Sequence, residues 1–242
     1  MPRFYCPQPL PAGAIVDLPE PVAHHLHVVR QQAGDEVVLF NGEGGQVRAR
    51  LVEIGKRRAS AEVVALEPVE VELPYSVTLA QGLPEGSSKM DWIVEKAVEL
   101  GVTAIQPLAA ARSVVKLSGE RAEKRQAHWE GVVVAASEQS GRNRLAALMP
   151  LQDFNRYIAQ PADGPRILLS PRATQSLAAW ARSTQPQPVT LLIGPEGGFS
   201  AAEEDAAIAA GALALSMGPR VLRTETAGLA ALATLNAVWA AD

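Results

Sequence analysis

The chain has 242 residues, 48% of them hydrophobic and 20% charged, with a formal net charge of −4. That composition suits a globular protein with ample core, built as one large domain or as a small one plus a medium one. No apolar run approaches the length that crosses a bilayer, a lone Cys6 excludes an internal disulfide or cysteine-built metal cluster, and the proline-rich start lacks the apolar stretch of a signal peptide, so a cytoplasmic protein without a membrane partner is expected.

Residues 1–72 read as β-rich. Asp35 to Phe40 and Gly45 to Ile54 flank Asn41-Gly42-Glu43-Gly44, a hairpin signal. Val47, Ala49 and Leu51 alternate with Arg48, Arg50 and Val52, which suits a sheet with one solvated face. Ser60 to Leu66 supplies another strand, and short strands without long helices suggest a small barrel. His24, His25 and His27 crowd together, but no further ligand set accompanies them. No metal site is expected, and these histidines should pack against the barrel. The acidic run Glu67 to Pro74, with a proline near each end, reads as a linker and places a boundary near Glu72.

From Leu73 strands and helices alternate, the sign of an α/β layer. Ser76 to Gln81 is strand-like. Ser88 is placed to cap the next helix, with Asp91 as in a capping box and Gly101 at the far end. Thr103 to Leu108 reads as a strand, residues 119–140 as a long helix, Arg166 to Ser170 as a strand, and Thr174 to Arg182 as a helix. Val189 to Ile193 is a strand, followed by a capping box at Ser200 and Glu203 and a helix that Gly211 closes. After a strand from Leu213 to Met217, the stretch from Ala227 to Ala240 is apolar nearly all round. Such a helix must be covered, by core or by a partner subunit.

The two last strands run into glycine loops, Gly194-Pro-Glu-Gly-Gly-Phe-Ser200 and Gly218-Pro-Arg-Val-Leu-Arg-Thr-Glu-Thr-Ala227. In an open α/β sheet, ligands bind in the crevice outside the carboxyl ends of the strands, so both loops should face one site. Glycines there let a ligand approach the backbone, whose amides and carbonyls suit a nucleotide-like molecule. Dinucleotide, P-loop and serine-elbow spacings are absent. Between residues 112 and 144, Arg112, Lys116, Arg121, Lys124, Arg125, Arg142 and Arg144 outnumber Glu120, Glu123, Glu130 and Glu138. That surplus is either a solvated helix face or a footprint for phosphates.

The loops resemble those of the SPOUT methyltransferases, of the type that methylates N3 of a uridine in the 16S ribosomal RNA of the bacterial small subunit. Gln81-Gly-Leu-Pro84 with Lys89-Met-Asp-Trp-Ile-Val-Glu-Lys-Ala-Val-Glu-Leu-Gly-Val102 is similar to the start of that catalytic domain. Arg112-Ser-Val-Val-Lys116 and Glu138-Gln-Ser-Gly-Arg142 match its intermediate signatures. Arg3-Phe-Tyr5, His24-His-Leu26, Arg30 and Gly34-Asp35 fit its barrel. The resemblance covers nearly the full length. It implies an α/β fold: a small PUA-like β-barrel at 1–72 that binds RNA, then a SPOUT (α/β trefoil knot) domain at 73–242, knotted near its carboxyl end and paired as a homodimer.

The implied reaction is methyl transfer from S-adenosylmethionine, and the implied partner is 16S rRNA or the 30S small subunit. Another SPOUT activity, such as ribose 2′-O methylation, and a non-catalytic RNA-binding or ribosome-assembly factor stand as alternatives. By the resemblance, Leu192, Ile193, Gly194, Glu196, Gly198, Met217, Gly218, Leu222, Arg223 and Thr224 hold the cofactor. Uridine N3 is a weak acid and needs a proton acceptor, or cations near its carbonyl oxygens. Arg112 and Arg223 are the candidate cations, and Glu138 is a candidate proton acceptor or a holder of Arg142. Arg3, Arg30, Lys116 and Arg142 are the candidate RNA contacts.

Overall fold

A computed structural model describes residues 1–240, and the chain divides into two compact units. The first takes Met1–Glu72 together with Ser137–Leu145, a return of chain that a contiguous division at Glu72 lacks. It holds β1 (Arg3–Tyr5), β2 (Ile15–Asp17), α1 (Glu20–Val28), β3 (Glu36–Phe40), β4 (Gln46–Ile54) and β5 (Ala59–Glu67). These strands form one sheet in the order β1-β3-β4-β5-β2, antiparallel except for β1 beside β3. The β3–β4 turn is built on Gly42, Gly44 and Gly45, all at positive φ, which a side chain would oppose. Two register irregularities in the β4–β5 pairing add twist. The sheet closes around Phe4, Leu26, Val37, Leu39, Ala49, Leu51, Ala61 and Val63. The helix α1 has no counterpart in the sequence reading; it places Leu26 in this core and sets His25 edge-on to Phe4 at 5.4 Å.

The second unit comprises Leu73–Ala136 and the chain from Ala146 onward. Its elements are β6 (Val77–Gly82), α2 (Ser87–Glu99), β7 (Ala104–Ala109), α3 (Glu120–Ser140), β8 (Ala147–Leu148), β9 (Gln152–Asp153), α4 (Phe154–Ile158), β10 (Arg166–Leu169), α5 (Leu177–Arg182), β11 (Val189–Ile193), α6 (Ala201–Ala209), β12 (Leu213–Leu215) and α7 (Thr224–Trp239). The strands make a parallel sheet in the order β12-β10-β11-β6-β7-β8, with β9 also on β7. Parallel strands covered on both faces read as apolar runs, as in Val-Thr-Leu-Leu-Ile of β11. The central pair is β11 beside β6, so both finish at the same edge.

The cap expected at Ser88 does not form. The helix α2 begins at Ser87 after Gly86, whose φ is 84°, and no side chain caps it. The Asp91 carboxylate instead accepts the Trp129 indole N–H at 3.0 Å and lies 3.0 Å from His128 Nε2. A contact with α3 has claimed the group that a capping box needs. The box at Ser200 does form: Ser200 Oγ accepts the Glu203 N–H, and Glu203 Oε2 accepts the Ser200 N–H at 2.7 Å.

Candidate functional site

At the carboxyl edge of the sheet, β11 stops at Ile193 and the chain folds back through Gly194 to Phe199. The Gly198 N–H donates to the Pro195 carbonyl at 2.8 Å, closing a tight turn. A Cβ on Gly194 would stand 2.7 Å from the Phe199 nitrogen, and one on Gly82 would stand 2.7 Å from Pro195 Cδ. Both glycines are therefore required by close approach of backbone. Gly198 differs, since nothing lies within 4 Å of its added Cβ but its φ is +68°. There the constraint is conformational, not spatial.

The second glycine loop meets the first. Arg223 is the N-cap residue of α7, and Thr224 follows, buried. The Thr224 hydroxyl donates to the Gly194 carbonyl at 2.6 Å and accepts from Gln81 Nε2 at 2.8 Å. One hydroxyl thus ties β6, the first loop and the start of α7 together. A cavity of about 700 Å³ opens between the loops, within the range of small-molecule sites. Ile193, Gly194, Glu196, Gly198, Leu222, Arg223 and Thr224 line it, as do Arg112, Lys89, Leu169, Arg172 and Glu225.

The remaining expected cofactor residues fall outside that lining. Strand alternation sends the Leu192 side chain to the other face of the sheet, into the core with Leu108, Phe154, Leu168 and Phe199. Met217 and Gly218 sit on the approach to the second loop and do not line the cavity. Sequence reasoning missed Leu169, the last residue of β10, and Pro171 and Arg172 just after it. That strand end carries no glycine, so the signal that marked the other two loops is absent.

Charged side chains brace the loops. Arg112 donates from Nη1 to the carbonyls of Gly197 at 2.8 Å and Phe199 at 3.3 Å. Its stem packs where a Cβ on Gly197 would come within 3.3 Å. Glu203 Oε1 accepts the Ala111 N–H at 2.7 Å, so the residue before Arg112 is fixed to the start of α6. Both Glu196 carboxylate oxygens accept the Glu85 N–H, at 3.1 and 3.0 Å, and Oε1 also accepts from Lys89 Nζ at 2.6 Å. Partial burial pushes the Glu196 carboxyl up, but these donors outweigh it and hold it below the usual range.

Glu138, Arg3 and Arg142 belong to the first unit. Glu138 Oε1 accepts the Tyr5 N–H at 2.8 Å. Burial raises its carboxyl above the usual value of 4.5, against the opposing pull of that N–H, His25 and Arg3. Arg3 donates to Gln46 Oε1 at 2.5 Å and Asn143 Oδ1 at 2.8 Å, and lies 5.1 Å over the Phe40 ring. Arg142 is buried and its guanidinium grips the Glu72 carboxylate, Nε to Oε1 at 2.9 Å. Its charge is turned inward, not toward a phosphate. Arg30 is exposed at φ 59° just past α1, and exposed Lys116 borders a second cavity with Ser113, Asn155 and Ser200. Among the described residues, no cluster of three or more His, Cys, Asp or Glu is arranged around a metal, and no helix is long and apolar enough to cross a membrane.

Comparison with known proteins agrees with this geometry. The RNA methyltransferase domain family matches residues 71–236, and the RNA methyltransferase PUA domain matches residues 18–64. Ribosomal RNA small subunit methyltransferase E of Bacillus subtilis is 34% identical over 90% of this chain and 87% of its own. Its counterpart from Synechocystis is 36% identical over 93% of this chain and 74% of its own. The crystal structure of ribosomal RNA small subunit methyltransferase E from Neisseria gonorrhoeae bound to S-adenosyl methionine aligns with a TM-score of 0.91. At 38% identity, that alignment covers 99% of this chain and 98% of the Neisseria chain. The fold is accordingly a SPOUT-type α/β domain with a PUA-like domain before it, and the chain belongs to the ribosomal RNA small subunit methyltransferase E family.

Proposed function

We propose that this chain methylates N3 of a uridine in 16S rRNA of the small subunit, in the cytoplasm, using S-adenosylmethionine held in the 700 Å³ cavity. The observation that carries this reading is that both glycine loops and Arg112 line one cavity at the carboxyl edge of the parallel sheet. The residues fit a sulfonium nucleoside. Gly194 and Gly82 let the first loop pack directly on its own backbone and on the end of β6, which fixes the cavity wall. Ile193, Leu169 and Leu222 offer apolar surface to a purine. Glu225 lines the cavity, and its Oε2 is buried and without a hydrogen-bond partner.

The sulfonium donor supplies an already activated methyl group, so the work left to the protein is alignment and charge. In this proposal Arg112 and Arg223 favour the imide anion of the uridine by lying near its carbonyl oxygens. Arg112 is already oriented by two loop carbonyls. Glu138 acts as a positioning residue, because its oxygen holds the Tyr5 N–H. Arg3 and Arg142 hold residues 1–72 as an RNA-binding PUA-like unit, while Arg30 and Lys116 remain exposed for phosphates. Residues 73–242 form the methyltransferase unit, knotted near its end and paired as a homodimer. The return of α7 onto β6 and β11, after β12 has paired with β10, supports a threaded path.

The test is transfer from labelled S-adenosylmethionine to small subunits that lack the modification, followed by mass analysis of nucleosides. Methyl on uridine N3 is the expected product. Methyl on a ribose 2′-oxygen, or none at all, would overturn the assignment.

A further inference from the structure

The cavity walls carry more charge than their own pairings neutralise. Lys89 is taken by Glu196 at 2.6 Å and Arg172 by Glu204 at 2.8 Å, while Arg112 donates to neutral carbonyls. Among the described residues that line the cavity, Glu225 and Arg223 are an acid and a base with no ion-pair partner. Glu225 is the more demanding of the two, because its Oε2 is buried and accepts no hydrogen bond. A buried carboxylate oxygen left bare is costly, and the cost is relieved by a donor, most effectively by a cationic one. The purine and ribose of a nucleoside carry no charge and can be served by backbone groups. An amino-acid end carries an ammonium beside a carboxylate, which matches the Glu225 carboxylate and the Arg223 and Arg112 guanidinium groups of this wall, none of which has an ion-pair partner among the described residues.

Resting on the reading that a sulfonium nucleoside binds here, we propose that Glu225 is the residue that receives the α-ammonium of the cofactor's amino-acid end, through its carboxylate. It sets orientation along the cavity and takes no part in proton transfer.

Calorimetric titration of the whole chain and of Glu225→Gln distinguishes the possibilities. S-adenosylmethionine and S-adenosylhomocysteine both carry the ammonium, and 5′-methylthioadenosine lacks the amino-acid end. The glutamine keeps the shape and removes the charge. Glu225→Gln should weaken S-adenosylmethionine and S-adenosylhomocysteine by the same factor, about tenfold or more, as for loss of a charged hydrogen bond. It should leave 5′-methylthioadenosine within about twofold, which also shows that the variant is folded. Unchanged affinity for S-adenosylhomocysteine would overturn the assignment. So would an equal loss for 5′-methylthioadenosine, which points to the nucleoside end, or a loss confined to S-adenosylmethionine, which points to the sulfonium. If the unaltered chain binds none of the three, the donor site itself is refuted and this role falls with it.

Discussion

Thr224 shows how much one hydroxyl carries. It donates to the Gly194 carbonyl, accepts from Gln81 Nε2, and is buried, while Gln81 Oε1 already lacks a partner. Thr224→Val keeps the shape, strands the Gly194 carbonyl and leaves Gln81 Nε2 only its bond to the Gly82 carbonyl, so it should cost about 1–3 kcal/mol in urea unfolding. It should also weaken donor binding, since the loops then lose their tie; a variant with wild-type stability would refute the bridge. Glu138 makes a different prediction, one about pH. Its carboxyl sits above 4.5 when folded, so in the window from that value upward the folded state binds more protons than the unfolded one. Stability is therefore lost as pH rises through the window. Glu138→Gln still accepts the Tyr5 N–H but cannot ionise. Its stability relative to the parent should grow as pH rises from the usual carboxylate range through the raised value of the folded state, and a constant difference would show that Glu138 does not titrate in this way. At this scale the glycine loop marks Gly194 as a place of close backbone approach, whereas only the family resemblance singles out Thr224, and its hydroxyl bridge is visible only in the structure. The sequence is a poor guide to Arg142, whose inward turn depends on Glu72, 70 residues away.

At the scale of elements, two helix starts with the same local pattern behave differently. Ser200 and Glu203 satisfy each other within one turn, so the box is visible in sequence. Ser88 and Asp91 have the same spacing, but Trp129 lies 38 residues on and takes the carboxylate. Local pattern reports only what local partners decide. The short elements β8, β9 and α4 escape for the related reason that two to five residues carry no period. The helix α1 escapes because a β-rich neighbourhood masks it. The box at α6 also reaches the site, because Glu203 accepts from Ala111 as well as from Ser200. Ser200→Ala should cost about 1 kcal/mol, the value of an N-cap. Glu203→Ala removes the acceptor for the Ala111 and Ser200 N–H groups, both only partly buried, and should cost about 1–3 kcal/mol, while also loosening Arg112 and lowering donor affinity. Thermal unfolding and calorimetry measure both. Equal costs for the two variants would mean that the Ala111 bond contributes nothing.

For the whole molecule, the alternation of strands and helices announces a parallel α/β sheet but not its order. That β10 lies between β11 and β12, and that Ser137–Leu145 joins the first unit, follow from pairings between residues far apart in the chain. The terminal helix illustrates what remained open. Its apolar surround fits either core or partner, and much of it is used within the chain. Trp239 lies edge-on to Tyr75 at 5.0 Å and tilted to Trp180 at 5.4 Å, and its indole donates to the Ala181 and Thr184 carbonyls. Asn236 bonds both Leu100 and Tyr75. One stripe is left over: Thr226, Ala233 and Ala237 are exposed, with Ala230 half-buried between them. These positions share a helix face, and their small side chains allow another helix to approach closely. If the proposed homodimer uses this face, sedimentation should give twice the 25.6 kDa of one chain. The double change Ala233→Arg with Ala237→Arg should halve that mass while circular dichroism still shows a folded chain, because both sites face solvent within one chain and arginine suits a helix. A variant that stays dimeric would move the interface elsewhere. An unaltered chain that sediments as a monomer would end the homodimer proposal.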